Sequence, residues 1–227
     1  MPEQVFEKVQ FGRESTRGTG VAATKIYPTD AGRFIELDRG YTSPDGEDYA
    51  GISGNRPSRA SYGLREATLP LEGILAYEGF PDLADMGIGL GTVSGAGADK
   101  TWTHVSDELS DTLKGYTIET GNETQAWRII GGLIRDITFS FDALAVPGEA
   151  PWRYSATVVG WDKEAVTFTG ALSAPPAGSF ETVEGHLTRL FEGTTATAFS
   201  ALSELTGTLI SYSLTIPNVL PLRGYGS

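Results

Sequence analysis

The chain has no cysteine, two histidines and two methionines, and no apolar run near the roughly 20 residues that a membrane helix needs. The missing cysteine excludes a disulfide framework and any thiolate metal site, and favours neither a reducing nor an oxidising compartment. With only His104 and His186, and no acids around them at ligand spacing, a metal centre has little to build on. A Ser–His–Asp triad meets the same shortage, and His104 in Trp102-Thr103-His104 reads as a structural residue beside a strand. Positive charge is scarce too: 17 Lys and Arg stand against 29 Asp and Glu, a formal charge of −12. The imbalance is uneven, nine basic to ten acidic residues over 1–66 and eight to nineteen over 67–227. Phosphate-gripping nucleic-acid binders draw affinity from clustered Lys and Arg, so that class is set aside. The opening Met1–Ser15 is charged and polar, with no secretory pattern, so the expectation is a protein that folds where it is made.

What is present in quantity is strand text. Ile137, Phe139 and Phe141 alternate with Thr138, Ser140 and Asp142, and Ile210, Tyr212, Leu214 and Ile216 alternate with Ser211, Ser213 and Thr215. A two-residue period of apolar and hydroxyl side chains describes half-buried antiparallel strands. The expected fold is all-β, mainly an antiparallel β-sandwich with one short flanking helix, in a single domain over 1–227.

Residues 1–25 read as an N-terminal arm with a hinge at Gly18-Thr19-Gly20. Arg33–Asp38 is a short strand candidate. The polar stretch 39–64, with turn chemistry at Ser43-Pro44-Asp45-Gly46, predicts a long projecting loop or hairpin before Ala67, Leu69 and Leu71 resume alternation. Pro81–Met86 predicts the helix, with Pro in its first turn and acids near its positive end. Gly87–Gly97 is expected to be irregular. Leu113–Thr120, the turn Gly121-Asn122-Glu123 and a strand from Gln125 predict a hairpin. Trp152–Asp162 and Ala165–Gly170 predict a second pair of strands joined by a tight turn at Asp162–Lys163. Leu187–Glu192 predicts a short strand, and Thr194–Leu205 fits either a helical face or an irregular segment, its Thr content opposing a long helix.

Candidate chemistry is sparse. Gly97-Ala98-Asp99-Lys100-Thr101 resembles a phosphate loop superficially, but lacks the Gly before Lys and places Asp99 where phosphate would sit. Asp107, Glu108 and Asp111 contain enough carboxylates for glycosidase chemistry, or are simply solvated. Trp127, Trp152, Tyr154 and Trp161 form either a sugar-binding platform or ordinary packing.

The run Phe11-Gly12-Arg13-Glu14-Ser15-Thr16-Arg17-Gly18-Thr19-Gly20-Val21-Ala22-Ala23-Thr24 resembles the opening of tail tube (major tail) proteins of long-tailed bacteriophages, which often begin Gly-x-Glu-x-x-x-Gly-Thr followed by small residues. The hairpin Lys114–Arg128, its continuation Ile129–Ser140, and the closing runs Leu187–Glu192 and Thr206–Ile216 are similar to the same family. Members often carry a further β-rich segment where this sequence ends at Arg223-Gly224-Tyr225-Gly226-Ser227. Either the tube module is complete without that segment or the sequence is shortened.

The resemblance implies a non-enzymatic virion protein, made in the host bacterial cytoplasm, that needs no cofactor. It implies hexameric rings stacked into a hollow tube through which DNA passes without specific binding. Partners would be other copies, a tape measure protein, a tail terminator and tail-tip proteins. Six chains at −12 would give each ring a formal −72, a repulsive wall towards a polyanion. The expected inter-subunit contacts are Phe6 and Phe11 in the arm, and Tyr41, Pro44, Tyr49 and Arg56 in the long loop. The alternatives are a non-catalytic carbohydrate- or surface-binding sandwich using Trp127, Trp152 and Trp161; a β-sandwich hydrolase using Asp107, Glu108 or Asp111; or another virion protein such as a head–tail connector or terminator.

Overall fold

A 17-residue strand, β10 (Ala126–Asp142), organises the molecule. The computed structural model describes residues 8–27, 29–30, 35–38, 41–42, 61–62, 66–89, 91–95, 101–104, 115–122, 125–142, 151–170, 172, 180–193, 202–205 and 210–217. Along β10, Ile137, Phe139 and Phe141 are buried while Thr138 and Ser140 are only half-buried, as the alternation predicts.

The strands assemble into one nine-stranded antiparallel sheet that β10 divides into two leaves. Leaf A joins β2 (Lys25–Tyr27), β1 (Lys8–Arg13), β9 (Tyr116–Gly121), the first part of β10, and β12 (Lys163–Val166). Leaf B joins β15 (Ser211–Pro217), the second part of β10, β11 (Arg153–Gly160), β6 (Glu66–Ile74) and β3 (Glu36–Asp38). The leaves pack face to face around one core. Phe11 of leaf A stacks on Tyr27 with ring centroids 4.7 Å apart, and Tyr27 meets Tyr154 of leaf B edge-on at 5.9 Å. The result is an all-β sandwich with one short helix.

The bend between the leaves has a local cause. Gly131 adopts φ +69°, which favours glycine, and the β9–β10 register shifts between Ile129 and Gly132. An extra residue at this point kinks the strand and increases its twist. Here the expected pairing of Trp152–Asp162 with Ala165–Gly170 is corrected, because β11 and β12 do not pair with each other. Both run antiparallel to β10, in one register: Leu133 faces Val159, and Ile129 faces Lys163. The break at Trp161–Asp162 lies beside the β10 kink, where Trp161 N donates to Ile130 O at 3.1 Å.

Helix α1 (Phe80–Gly87) carries Pro81 in its first turn and buries Leu83 and Met86. Full burial of such side chains stabilises by about 1.5–3 kcal/mol each. The helix ends where the Ile88 and Gly89 amides both reach Ala84 O, at 2.8 and 3.2 Å. It is tied to leaf A by Lys25 Nζ on Asp82 at 2.8 Å and to leaf B by Phe80 against Phe139.

Several expectations are corrected. Residues 8–25 are not an arm: β1 sits between β2 and β9, because Val9 and Phe11 supply a buried face and Gln10 is hydrogen-bonded beneath the surface. The Gly87–Gly97 stretch contains a strand, β7 (Gly91–Ser94), paired with β8 (Thr101–His104); Gly91 fits because a Cβ there would press on the His104 ring. Only Phe191–Glu192 (β13) of Leu187–Glu192 is strand, preceded by a 3-10 turn at Gly185–Leu187. Its partner Ser203–Glu204 (β14) shows that the described end of Thr194–Leu205 is extended. In the long polar stretch, β4 (Tyr41–Thr42) pairs with β5 (Ser61–Tyr62), which brings its two ends together; residues 43–60 lie outside the described residues.

Candidate functional site

The outer side of leaf A carries a buried polar cluster that the sequence reading missed. Past the end of β1 the chain turns, with Thr19 N on Thr16 O at 3.1 Å and Gly18 at φ +82° beneath the Trp161 ring. The Glu14 carboxylate is fully buried and accepts three donors: Gly18 N at 2.6 Å, Gly131 N at 2.8 Å and Thr117 Oγ1 at 2.9 Å. Carboxylate oxygens accept, so three donors converging on this side chain offset the cost of burying it. One side chain therefore fixes both the turn after β1 and the kink of β10. Gly12 is needed nearby because a Cβ would collide with the Ala22 carbonyl. The Gly-x-Glu-x-x-x-Gly spacing thus encodes a local clasp, a signal that was visible in the sequence but read as an arm.

A second buried acid, Glu119, accepts from Thr169 Oγ1 and Thr169 N, both at 2.8 Å, and from Gln10 Nε2 at 3.1 Å. Over this face, Val21 N donates to Thr117 Oγ1 at 3.0 Å and Ala23 N to Thr169 Oγ1 at 3.1 Å.

A third cluster joins α1 to the β7–β8 ribbon. Asp85 accepts from Gly91 N at 2.7 Å and from Tyr116 Oη at 3.2 Å, with Arg13 at 3.6 Å. His104 Nδ1 lies 2.9 Å from Gly89 O and 3.5 Å from Asp85. Burial, with the nearby Asp82 and Asp85 carboxylates, pushes the Tyr116 phenol far above its ordinary pKa. These polar contacts pin one element to another. Among the described residues no three His, Asp or Glu side chains group as metal ligands.

The edges of the two leaves differ in kind. β2, β3 and β12 each carry charge: Lys25; Glu36 and Asp38; Lys163 and Glu164. β12 is further tied to the start of β3 by Lys163 Nζ on Ile35 O at 2.8 Å. β15, Ser211–Pro217, carries no charged residue. Its inward alternation is as expected, with Leu214 opposite Phe139, but the apolar face is poorly covered: Leu214 is 43% and Ile210 48% exposed. Ile216 of β15 packs against the core and Tyr212 against Trp152.

Compared with protein-family models and with curated proteins, the chain matches none.

Of the expected contact residues, Phe11 is corrected: it is buried between Tyr27 and Tyr116 within the chain and presents no surface for a contact. Tyr41 lies on β4 opposite Tyr62. Phe6, Pro44, Tyr49 and Arg56 lie outside the described residues, as do Asp107, Glu108 and Asp111. The three candidate indoles, Trp127, Trp152 and Trp161, are engaged within the chain. Lys163 sits 4.3 Å from the Trp127 ring centroid, Trp161 covers Gly18 and Gly131, and Trp152 packs on Phe141 and Tyr212 while donating to Thr188 Oγ1.

Proposed function

We propose that this chain is a structural subunit that polymerises, specifically a tail tube protein of a long-tailed bacteriophage, forming stacked hexameric rings that conduct DNA. The observation that carries the reading is the uncharged outer edge of β15, which pairs with β10 and with no other strand among the described residues. Soluble sheets ordinarily guard their edges with charge or proline, and an unguarded edge with exposed apolar residues is a template for another chain. β2, β3 and β12 carry charged guards, whereas β15 has no charged residue and a proline only at its last position, Pro217, which favours one directed contact per subunit. A contact between two different surfaces of identical subunits closes into a ring when the rotation permits.

Two further features support the reading. The face of leaf B that points away from the core presents Thr138, Ser140, Ser155 and Thr157 with Ser213 and Thr215 of β15, beside Asp136 and an Arg153 whose guanidinium is paired with Asp30. Such a wall, mostly of small hydroxyls in a chain of charge −12, suits a conduit that a polyanion crosses. The β4–β5 ladder also brackets a long polar excursion, a suitable element for reaching the next ring. In this reading the protein belongs to the virion, and its partners are its own copies, a tape measure protein, a tail terminator and tail-tip proteins.

Negative-stain electron microscopy of the purified protein, beside light scattering across concentration, tests the proposal. Hollow sixfold rings or tubes are expected. A protein that stays monomeric even with tail-tip complexes added overturns it.

A further inference from the structure

Helix α1 hands the chain to a two-stranded ribbon, β7 and β8, that pairs with no other strand among the described residues. The base of the ribbon is fixed: Gly91 N donates to Asp85 at 2.7 Å, and His104 Nδ1 lies 2.9 Å from Gly89 O. Its body is not covered. Val93 faces Trp102 across the ribbon, and the two residues are 45% and 40% exposed. A two-stranded ribbon gains little stability in water unless its apolar face packs on something.

The ribbon and β15 are written alike. Thr92-Val93-Ser94 and Thr101-Trp102-Thr103 each set one apolar residue between two hydroxyls, and so does Ser213-Leu214-Thr215. None of the three strands carries Asp, Glu, Lys or Arg. Laid beside β15, either ribbon strand would put Val93 or Trp102 next to Leu214 on one face, and hydroxyl next to hydroxyl on the other. β15 already meets β10 in that manner on its inner edge, with Leu214 opposite Phe139 and the Thr138 and Thr215 hydroxyls 2.9 Å apart. A slip of one residue would turn Trp102 onto the hydroxyl face, so the alternation selects the register. The other described strands fit worse. β2, β3, β12, β13 and β14 would each bring charge to an uncharged edge, and β4 and β5 are two residues long. Within one chain the ribbon and β15 do not pair, so the ribbon that matches this edge is that of a second copy.

We propose that the β7–β8 ribbon of one copy extends leaf B of the next by pairing with its β15. The proposal rests on the assembly reading above and names the surface that β15 meets. Ribbon and edge are different surfaces of the same chain, so each contact leaves one of each free and the series continues.

Charge placed on either surface tests the pairing. Trp102→Lys and Leu214→Lys should each lower polymerisation at least about tenfold, at a urea midpoint close to that of wild type. Val93→Lys replaces Trp102→Lys if the latter lowers the midpoint. A 1:1 mixture of the two variants is the sharper measurement. Each keeps one sound surface, so sedimentation velocity should show a heterodimer and nothing larger, because both surfaces left over carry lysine. The cysteine-free sequence gives a second readout. Under mild oxidation of mixed Val93→Cys and Leu214→Cys chains, mixed disulfide dimers should outnumber the two homodimers at least about fivefold, since only apposed Cβ atoms can be bridged. Polymerisation of either lysine variant at the wild-type rate overturns the pairing and leaves the assembly reading standing. So does a lysine mixture that stays monomeric while the cysteine mixture cross-links no better than chance. A wild-type chain that never polymerises, alone or with tail-tip complexes, overturns both.

Discussion

Glu14 and Gly131 are 117 positions apart in sequence, yet Glu14 Oε1 accepts the Gly131 amide at 2.8 Å. That bond ties the end of β1 to the kink at which β10 passes from one leaf to the other. Glu14→Gln replaces one acceptor oxygen with an NH₂ group facing the donors. The expected loss is about 2–3 kcal/mol, the scale of a broken charge-assisted hydrogen bond that leaves a buried donor unpaired. Urea unfolding should show a lower midpoint at an unchanged slope. A midpoint equal to wild type would refute the clasp.

Gly18 lies beneath Trp161 at a positive φ, so a methyl group there meets both backbone strain and the ring. Gly18→Ala should cost about 1–3 kcal/mol and displace the indole. The check is the tryptophan emission of the folded variant, which should shift to the red as Trp161 becomes more hydrated. Unchanged emission with unchanged stability would show that the turn is not constrained.

Tyr116 and Tyr27 make the fold sensitive to alkali. Burial is the main cause of both raised values, reinforced by Asp82 and Asp85 around Tyr116 and by Tyr154 and Asp82 around Tyr27. A folded phenol with a raised pKa keeps its proton, whereas the unfolded chain releases it near pH 10. The stabilisation is therefore fully present below about pH 10 and is lost above it, at about 1.4 kcal/mol per pH unit for each phenol. Thermal midpoints measured from pH 7 to 11.5 should be level and then fall. Tyr116→Phe should make the fall shallower, and an identical pH profile in that variant would exclude Tyr116 as a contributor.

In the proposed assembly, the β15 edge separates folding from polymerisation. Leu214→Lys places a charge on a strand that has none, at a side chain already 43% exposed. Monomer stability should change by less than about 1 kcal/mol, while polymerisation drops at least about tenfold. Polymerisation at the wild-type rate would move the contact elsewhere on the subunit.

The fold was legible where one face is buried and the other wet. β10 and β6 show this through Ile137, Phe139, Phe141, Ala67, Leu69 and Leu71. Helix α1 was legible from Pro81 and its acids. β1 was not, because its second face is buried beneath a polar cover: Gln10 is fully buried on a hydrogen bond to Glu119, and polar text of that kind reads as solvent-exposed. β7 was hidden by the glycines around it, of which Gly91 serves the close approach of His104. The collinearity of β11 and β12 depends on long-range register, which the local turn signal at Asp162–Lys163 cannot report. The Glu14 clasp was spelled out in the glycine spacing, but the donor from Gly131 that gives the spacing its meaning comes from a distant strand.

The shared register of β11 and β12 against β10 has a mechanical consequence. Tension applied to β15 along its axis loads the ladder from Asp136 to Asp142 in shear, and β10 carries it through the kink into β9 without passing through a loop. Cross-strand hydrogen bonds lie perpendicular to the strands, so such a load stresses them side by side rather than one after another. A molecule pulled at this edge should yield as a single stiff body, with the β7–β8 and β13–β14 ribbons, which among the described residues pair only within themselves, left outside the path of the force.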